Sequence, residues 1–96
     1  MNKYEMMFIV KATNEGTVVA GTADDVKKTA EINKAKVTDF KDLGVKKLAY
    51  PIKNEINGYY YVMNFEANKE TVAEIDRKTS INENVIRHLI IKQEEE

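Results

Sequence analysis

The chain has 96 residues and a net charge of −1, and its length is typical of a single domain. It has no cysteine and one histidine, His88, so disulfides, cysteine nucleophiles and two-histidine metal sites within the chain are excluded. No apolar run approaches the roughly 18 residues that span a membrane, no secretory signal is visible at the N-terminus, and the residue usage fits a reducing compartment.

The first two predicted elements are a strand and a helix. Residues 4–10 form the strand, because apolar residues alternate there on both faces. Residues 15–34 form the helix, although Gly16 and Gly21 weaken it, since a glycine inside a helix costs about 1 kcal/mol relative to alanine. The thin apolar stripe of this helix has helical spacing and consists of Val19, Ala23, Val26 and Ala30.

The middle of the chain is predicted to form a long hairpin. Residues 35–52 are its first strand, in which Gly44 marks a bulge or bend. Pro51 cannot donate a hydrogen bond to a neighbouring strand, so this strand is expected at a sheet edge. The pair Asn57-Gly58 is typical of a hairpin turn and is expected to connect the two strands.

The last third of the chain is predicted as strand, helix and strand. Residues 59–67 alternate as a strand, Asn68 is a suitable N-cap for the second helix, and residues 85–92 form the final strand. The resulting order, β-α-β-β-α-β, predicts an α+β fold of the ferredoxin-like kind. The expected sheet has four antiparallel strands in the order 4-1-3-2, with both helices on one face and the other face open.

We expect one domain over residues 1–92 and a short acidic tail at residues 93–96. Without the three glutamates at the C-terminus, the acidic residues fall from 16 to 13 against 15 basic ones, so the body carries a charge of +2. Such weak basicity permits nucleic-acid binding without arguing for it. The apolar positions predict a core that includes Val10, Leu48, Phe65, Leu89 and Ile91.

The sequence contains no convincing catalytic pattern. Its four glycines are scattered singly, so no glycine-rich phosphate loop is present. Ser80 and His88 lack a third orienting group for nucleophilic catalysis. An acylphosphatase-like enzyme would share the predicted fold, but residues 11–14 supply no anion-binding loop for it.

Aromatic and basic residues indicate binding instead. Tyr59 and Tyr61 lie near the third-strand motif of RNA-recognition modules, but Asn57, Tyr60 and Asn64 depart from that motif. We therefore favour the interpretation that the alternate tyrosines pack the sheet. Because the first and fourth strands are neighbours in the expected order, one basic group is predicted there, comprising Lys3, Tyr4, Arg87, His88 and Lys92. A second group is predicted on the hairpin and comprises Lys46, Lys47 and Lys53.

Three blocks of the chain resemble the bacterial small-subunit ribosomal protein six family. They are residues 4–10 (YEMMFIV), residues 43–52 (LGVKKLAYPI) followed by residues 58–60 (GYY), and residues 84–92 (NVIRHLIIK). Together with their order they span nearly the whole chain, and the second block is the most specific. The chain departs from the family pattern at Gly16 and Gly21 in the first helix and at Asn2, where the family often has arginine.

The resemblance implies a structural constituent of the small ribosomal subunit. Such proteins bind the central domain of 16S ribosomal RNA together with ribosomal protein eighteen of the same subunit. The resemblance further implies a cytoplasmic location on the ribosome, and no catalysis, cofactor, metal, membrane or small-molecule substrate. It makes both basic groups candidate RNA-binding residues. The alternative is a small-molecule-binding regulatory domain that dimerises through its sheet, which a stable homodimer without RNA binding would favour.

Overall fold

The computed structural model describes residues 2–12, 16–52 and 55–93. Its elements are β1 (Asn2–Lys11), α1 (Gly16–Ile32), β2 (Lys36–Ile52), β3 (Glu55–Ala67), α2 (Lys69–Ser80) and β4 (Val85–Gln93). The strands pair antiparallel in the order β2-β3-β1-β4, which is the predicted order 4-1-3-2 read from the other edge. The predicted ferredoxin-like architecture is confirmed. Within the described ranges, no helix is long and apolar enough to cross a membrane.

The main core lies between the sheet and the two helices, on what we call the helix face. β1 and β3 contribute alternate residues that pair across the strands, namely Tyr4, Met6, Phe8 and Val10 with Phe65, Met63, Tyr61 and Tyr59 respectively. The ring of Phe8 stacks on that of Tyr61 with their centroids 5.3 Å apart. Burial raises the pKa of the Tyr61 hydroxyl, and the nearby carboxylate of Asp42 raises it further.

α1 covers this face with small apolar side chains, and α2 covers it with the larger, fully buried Ile75. The predicted stripe of α1 is confirmed, because Val19, Ala23, Val26 and Ala30 are all buried. α2 begins as predicted after Asn68, whose side chain accepts a hydrogen bond of 2.9 Å from the amide of Thr71. On its exposed side the hydrogen bond from Arg77 lowers the pKa of Glu74.

β2 is an edge strand, as the position of Pro51 predicted. Its register against β3 shifts between Asp42 and Gly44, which confirms the predicted bulge. Gly44 has a φ of 78°, a value that glycine adopts without strain, and its amide donates a hydrogen bond of 2.7 Å to Asp42. The glycine is therefore required for its backbone conformation.

The predicted turn at Asn57-Gly58 is wrong. Both residues lie within β3, which begins at Glu55, and they pair with Lys47 and Lys46 of β2. Gly58 is needed for close packing, because a Cβ atom there would collide with Cγ2 of Ile9 on β1. A glycine that admits a neighbouring side chain is easily mistaken for a glycine that turns the chain.

The predicted faces of β4 are also partly wrong. The register against β1 shifts between Ile9 and Val10, so that Val10 pairs with Val85 while Ile9 pairs with Arg87. Ile86 is the extra residue, and it moves everything after it to the opposite face from the one that strict alternation from Val85 predicts. Leu89 and Ile91 consequently leave the core, and each is 51% exposed.

The end of the chain is described only as far as Gln93, which belongs to β4. The strand thus extends one residue beyond the predicted strand. The rest of the predicted acidic tail, residues 94–96, lies outside the described residues.

Candidate nucleic-acid interface

We call the side of the sheet opposite the helix face the open face. It is formed by the strand residues that alternate with those of the core. Strand register sets its cross-strand rows. One row runs from Lys41 on β2 through Val62 and Met7 to Leu89 on β4. The neighbouring rows place Ile9 opposite Arg87, and Glu5 opposite Ile91.

An exposed apolar band crosses the β3, β1 and β4 part of the open face. It consists of the exposed Met7, Leu89 and Ile91 together with the half-buried Val62. Met7 is the central residue, because it pairs with Val62 on one side and with Leu89 on the other. Met7 is 36% exposed. Contiguous exposed apolar side chains on a small protein mark a surface that a partner covers.

Basic side chains border the apolar band. Lys41 on the edge strand β2 lies opposite Val62 of β3. Arg87 on β4 lies opposite Ile9 of β1. Both side chains are exposed. Lys46 lies over the ring of Tyr60, with 5.7 Å between its Nζ atom and the ring centroid. A cation beside an aromatic ring on a sheet surface is a combination that nucleic-acid-binding proteins use.

A small second core fixes Tyr60 in place. Ile9, Leu48 and Ile86 are buried together on the open face, and Tyr60 packs against them. Leu48 is buried as predicted, but in this second core and not beneath the helices. The close approach of Ile9 to Gly58 belongs to the same cluster. The packing of Tyr60 against this second core therefore holds the Lys46–Tyr60 pair in position.

The predicted basic group on β1 and β4 is divided between two faces. Tyr4 and Lys92 are cross-strand partners on the helix face, and His88 shares that face as the partner of Phe8. Tyr4 is only 6% exposed. Arg87 and Lys3 alternate with these residues and lie on the open face. The prediction of one common group is wrong, because neighbouring strands bring residues together only when they share a face.

The group is also divided along the strands. Lys3 pairs with Gln93, whereas Arg87 pairs with Ile9, six residues further along β1, which is roughly 20 Å at about 3.3 Å per residue. Lys3, Tyr4 and Lys92 thus share one end of the strand pair, and Arg87 lies at the other end. Their assignment to RNA binding stays a prediction.

His88 has a structural contact. Its Nε2 atom lies 2.6 Å from Oδ1 of Asp76 on α2, and the histidine side chain is mostly buried. The pair connects α2 to β4. Among the residues that the structure describes, no three side chains of the metal-ligating types converge on one point.

The second predicted group lies on the hairpin. Lys46 and Lys47 are both exposed on β2, and they pair with Gly58 and Asn57 respectively, so they point to opposite faces. Lys46 is the one on the open face. Lys53 lies outside the described residues.

The tyrosines of β3 pack as predicted. Tyr61 is buried on the helix face, and Tyr59 packs against the same core. Neither presents its ring on the open face as an RNA-recognition module would. Tyr60 does present its ring on the open face, although it is one of the residues that depart from the sequence motif of that module.

Sequence reasoning missed three positions. Met7 and Lys41 on the open face were readable from period-two alternation once the exposed face was known. Lys69, the first residue of α2, lines a cleft together with Tyr4 and Lys92. No short-range pattern links a helix start to two strands, so only the tertiary structure shows this grouping.

Comparison with known proteins covers nearly the whole chain. The family model described as "Ribosomal protein S6" matches residues 3–92. The chain is 39% identical over 92 residues to the small ribosomal subunit protein bS6 of Sulfurovum sp. (strain NBC37-1), covering 96% of this chain and 72% of that relative. It also matches the crystal structure of 30S ribosomal protein S6 from Thermotoga maritima with a TM-score of 0.92 and 26% identity, covering 96% of this chain and 87% of the other.

Proposed function

Because the chain belongs to the ribosomal protein S6 family of the small ribosomal subunit, we propose that it binds the central domain of 16S ribosomal RNA together with ribosomal protein eighteen of that subunit. Family membership places it in the cytoplasmic ribosome, in association with ribosomal RNA, as a structural protein. What we propose beyond family membership is the identity of the RNA domain and of the protein partner.

The open face is the observation that supports this proposal. Its apolar band suits a protein partner, because a partner that covers Met7, Leu89 and Ile91 removes exposed apolar area from water. Its border suits RNA, because Arg87 and the Lys46–Tyr60 pair combine cations with an aromatic ring. Two kinds of surface on one face fit joint binding of a protein and an RNA.

The charge of the chain supports a shared site as well. The whole chain has a net charge of −1, which is low for a protein that binds RNA alone. A second protein that brings further basic residues to the same RNA would supply the missing attraction. We therefore expect RNA affinity to depend strongly on ribosomal protein eighteen.

The experiment is a binding titration of central-domain RNA with the chain, with ribosomal protein eighteen and with both. We expect tight binding only with both proteins. Leu89→Asp should disrupt the apolar band and abolish the joint complex, while Arg87→Ala should lower the slope of log affinity against log salt by roughly 0.7–0.9. Lys28→Ala is the matched control, since Lys28 lies on α1 and pairs with Asp24.

Two results would contradict the proposal. One is a joint mixture that binds RNA no better than ribosomal protein eighteen alone. The other is a stable homodimer of this chain without RNA binding, which would support the regulatory domain that dimerises through its sheet. Sedimentation equilibrium of the chain alone measures the second directly.

A further inference from the structure

A cleft lies at the β4 edge of the molecule, between α2 and the sheet. Its volume is about 510 Å³. Polar side chains from three elements line it: Lys69 and Asp76 from α2, Tyr4 from β1, and His88 and Lys92 from β4. Three of these residues belong to the basic group predicted from the sequence, and here they share one cavity. The cleft lies on the helix side of the sheet, and it meets the open face at Leu89 of the edge strand β4, which also lines it.

The charge in the cleft is positive. Asp76 is the one carboxylate among the described residues that line it, and its Oδ1 atom is engaged 2.6 Å from Nε2 of His88. Lys69 and Lys92 are the two lysines that line it, and both side chains are exposed. By contrast, Lys3 in the smaller neighbouring cleft lies directly opposite Glu66. The larger cleft is therefore the better place for an anion.

Tyr4 is a rigidly held residue in the wall of this cleft. Its ring stacks on that of Phe65 with centroids 5.6 Å apart, and the side chain is almost wholly buried. Lys92 is its direct cross-strand partner. A fixed neutral donor beside two lysines is the donor set that proteins use for a phosphate group in a nucleic-acid backbone.

We propose that the cleft between α2 and β4 binds a backbone phosphate of the RNA, with Lys69 and Lys92 as its cations and Tyr4 as its hydroxyl donor. This inference rests on the proposed function, because RNA is the source of the phosphate. It extends the RNA contact around the β4 edge, from the open face to the helix face. His88 and Asp76 hold one wall of the cleft by joining α2 to β4.

The test is a salt titration of central-domain RNA binding in the presence of ribosomal protein eighteen. Lys69→Ala and Lys92→Ala should each lower the slope of log affinity against log salt by roughly 0.7–0.9. Tyr4→Phe keeps the ring and removes the hydroxyl, so it should weaken binding roughly two- to tenfold without a change in slope. Lys78→Ala is the matched control, because Lys78 is exposed on the same helix but outside the cleft.

The outcomes separate the two proposals. If the unsubstituted chain binds the RNA and both lysine variants keep its slope, the phosphate site is wrong and the proposed function stands. If Lys78→Ala lowers the slope as much as the cleft variants, the effect is general charge and the site is again wrong. If the unsubstituted chain adds nothing to RNA binding, the proposed function fails and the phosphate site fails with it.

Discussion

Both faces of the sheet carry apolar side chains, and they use them differently. On the helix face, Phe8, Met63 and Phe65 are essentially inaccessible to solvent beneath α1 and α2. On the open face, Met7, Leu89 and Ile91 keep between a third and a half of their surface exposed. The chemistry of the residues does not distinguish the two sets, whereas their register does. The comparison teaches that the hydrophobic pattern of this chain describes both a core and a binding surface.

The largest expected effect contrasts one residue from each face. Phe65→Ala should lower the free energy of unfolding by about 3–5 kcal/mol, because it removes a fully buried ring and leaves a cavity. Leu89→Ala should lower it by less than about 1 kcal/mol, because half of that side chain already contacts water. Urea unfolding of both variants measures the difference. Equal losses would show that the open face is part of the core.

The second prediction concerns the close approach on the open face. Gly58→Ala should lower the free energy of unfolding by about 1–3 kcal/mol, since the added methyl group collides with Ile9. Ile9→Val in the same background removes a methyl group from the crowded site and should recover part of the loss. A neutral Gly58→Ala would mean that Ile9 can move aside, and that the second core is loosely packed.

The third prediction concerns α1, which covers the helix face. Gly21→Ala should raise the free energy of unfolding by about 0.4–1 kcal/mol, because a Cβ atom there meets nothing within 4 Å and alanine restricts the unfolded chain. Urea unfolding measures it beside Gly44→Ala, which should destabilise because of the positive φ of Gly44. Destabilisation by Gly21→Ala would contradict the helical placement of that residue.

The smallest expected effect is a pH dependence that belongs to the helix face. The pKa of Tyr61 is raised on folding by burial, so the unfolded chain loses this proton first as pH rises. The resulting stabilisation is complete below about pH 10, the usual pKa of tyrosine, and is lost above it. Tyr61→Phe should therefore flatten the alkaline loss of stability. Unfolding at pH 7 and pH 11 gives the comparison, and an unchanged alkaline loss would contradict it.

Element order and sheet topology were predictable from the sequence, because they depend on periodicity and on end signals. Alternation in β1, the spacing of Val19 and Val26 in α1, and Asn68 as an N-cap are local features that the structure repeats. Right-handed crossover connections then leave few ways to arrange four strands and two helices. The family resemblance pointed to the same fold.

The binding site was predicted less accurately than the fold, because the sheet face on which a strand residue lies depends on long-range contacts. The bulge at Ile86 reverses the faces of β4, and nothing in the sequence VIRHLIIK marks it. Gly58 has the sequence signature of a turn but the structural role of admitting Ile9. The bulge therefore moves Arg87 and Leu89 to the open face and His88 to the helix face, the reverse of what alternation from Val85 predicts.

Hydroxyl-radical footprinting of the chain, alone and in complex with ribosomal protein eighteen and central-domain RNA, tests the role of the open face most directly. Oxidation of Met7, Leu89 and Ile91 should fall when the complex forms, because the partners cover the apolar band. Ile32 and Ile81, which are 77% and 70% exposed at the helix ends, serve as internal controls and should keep their reactivity. Protection of Ile32 and Ile81 with no change at Met7, Leu89 and Ile91 would contradict the assignment of the open face as the binding surface.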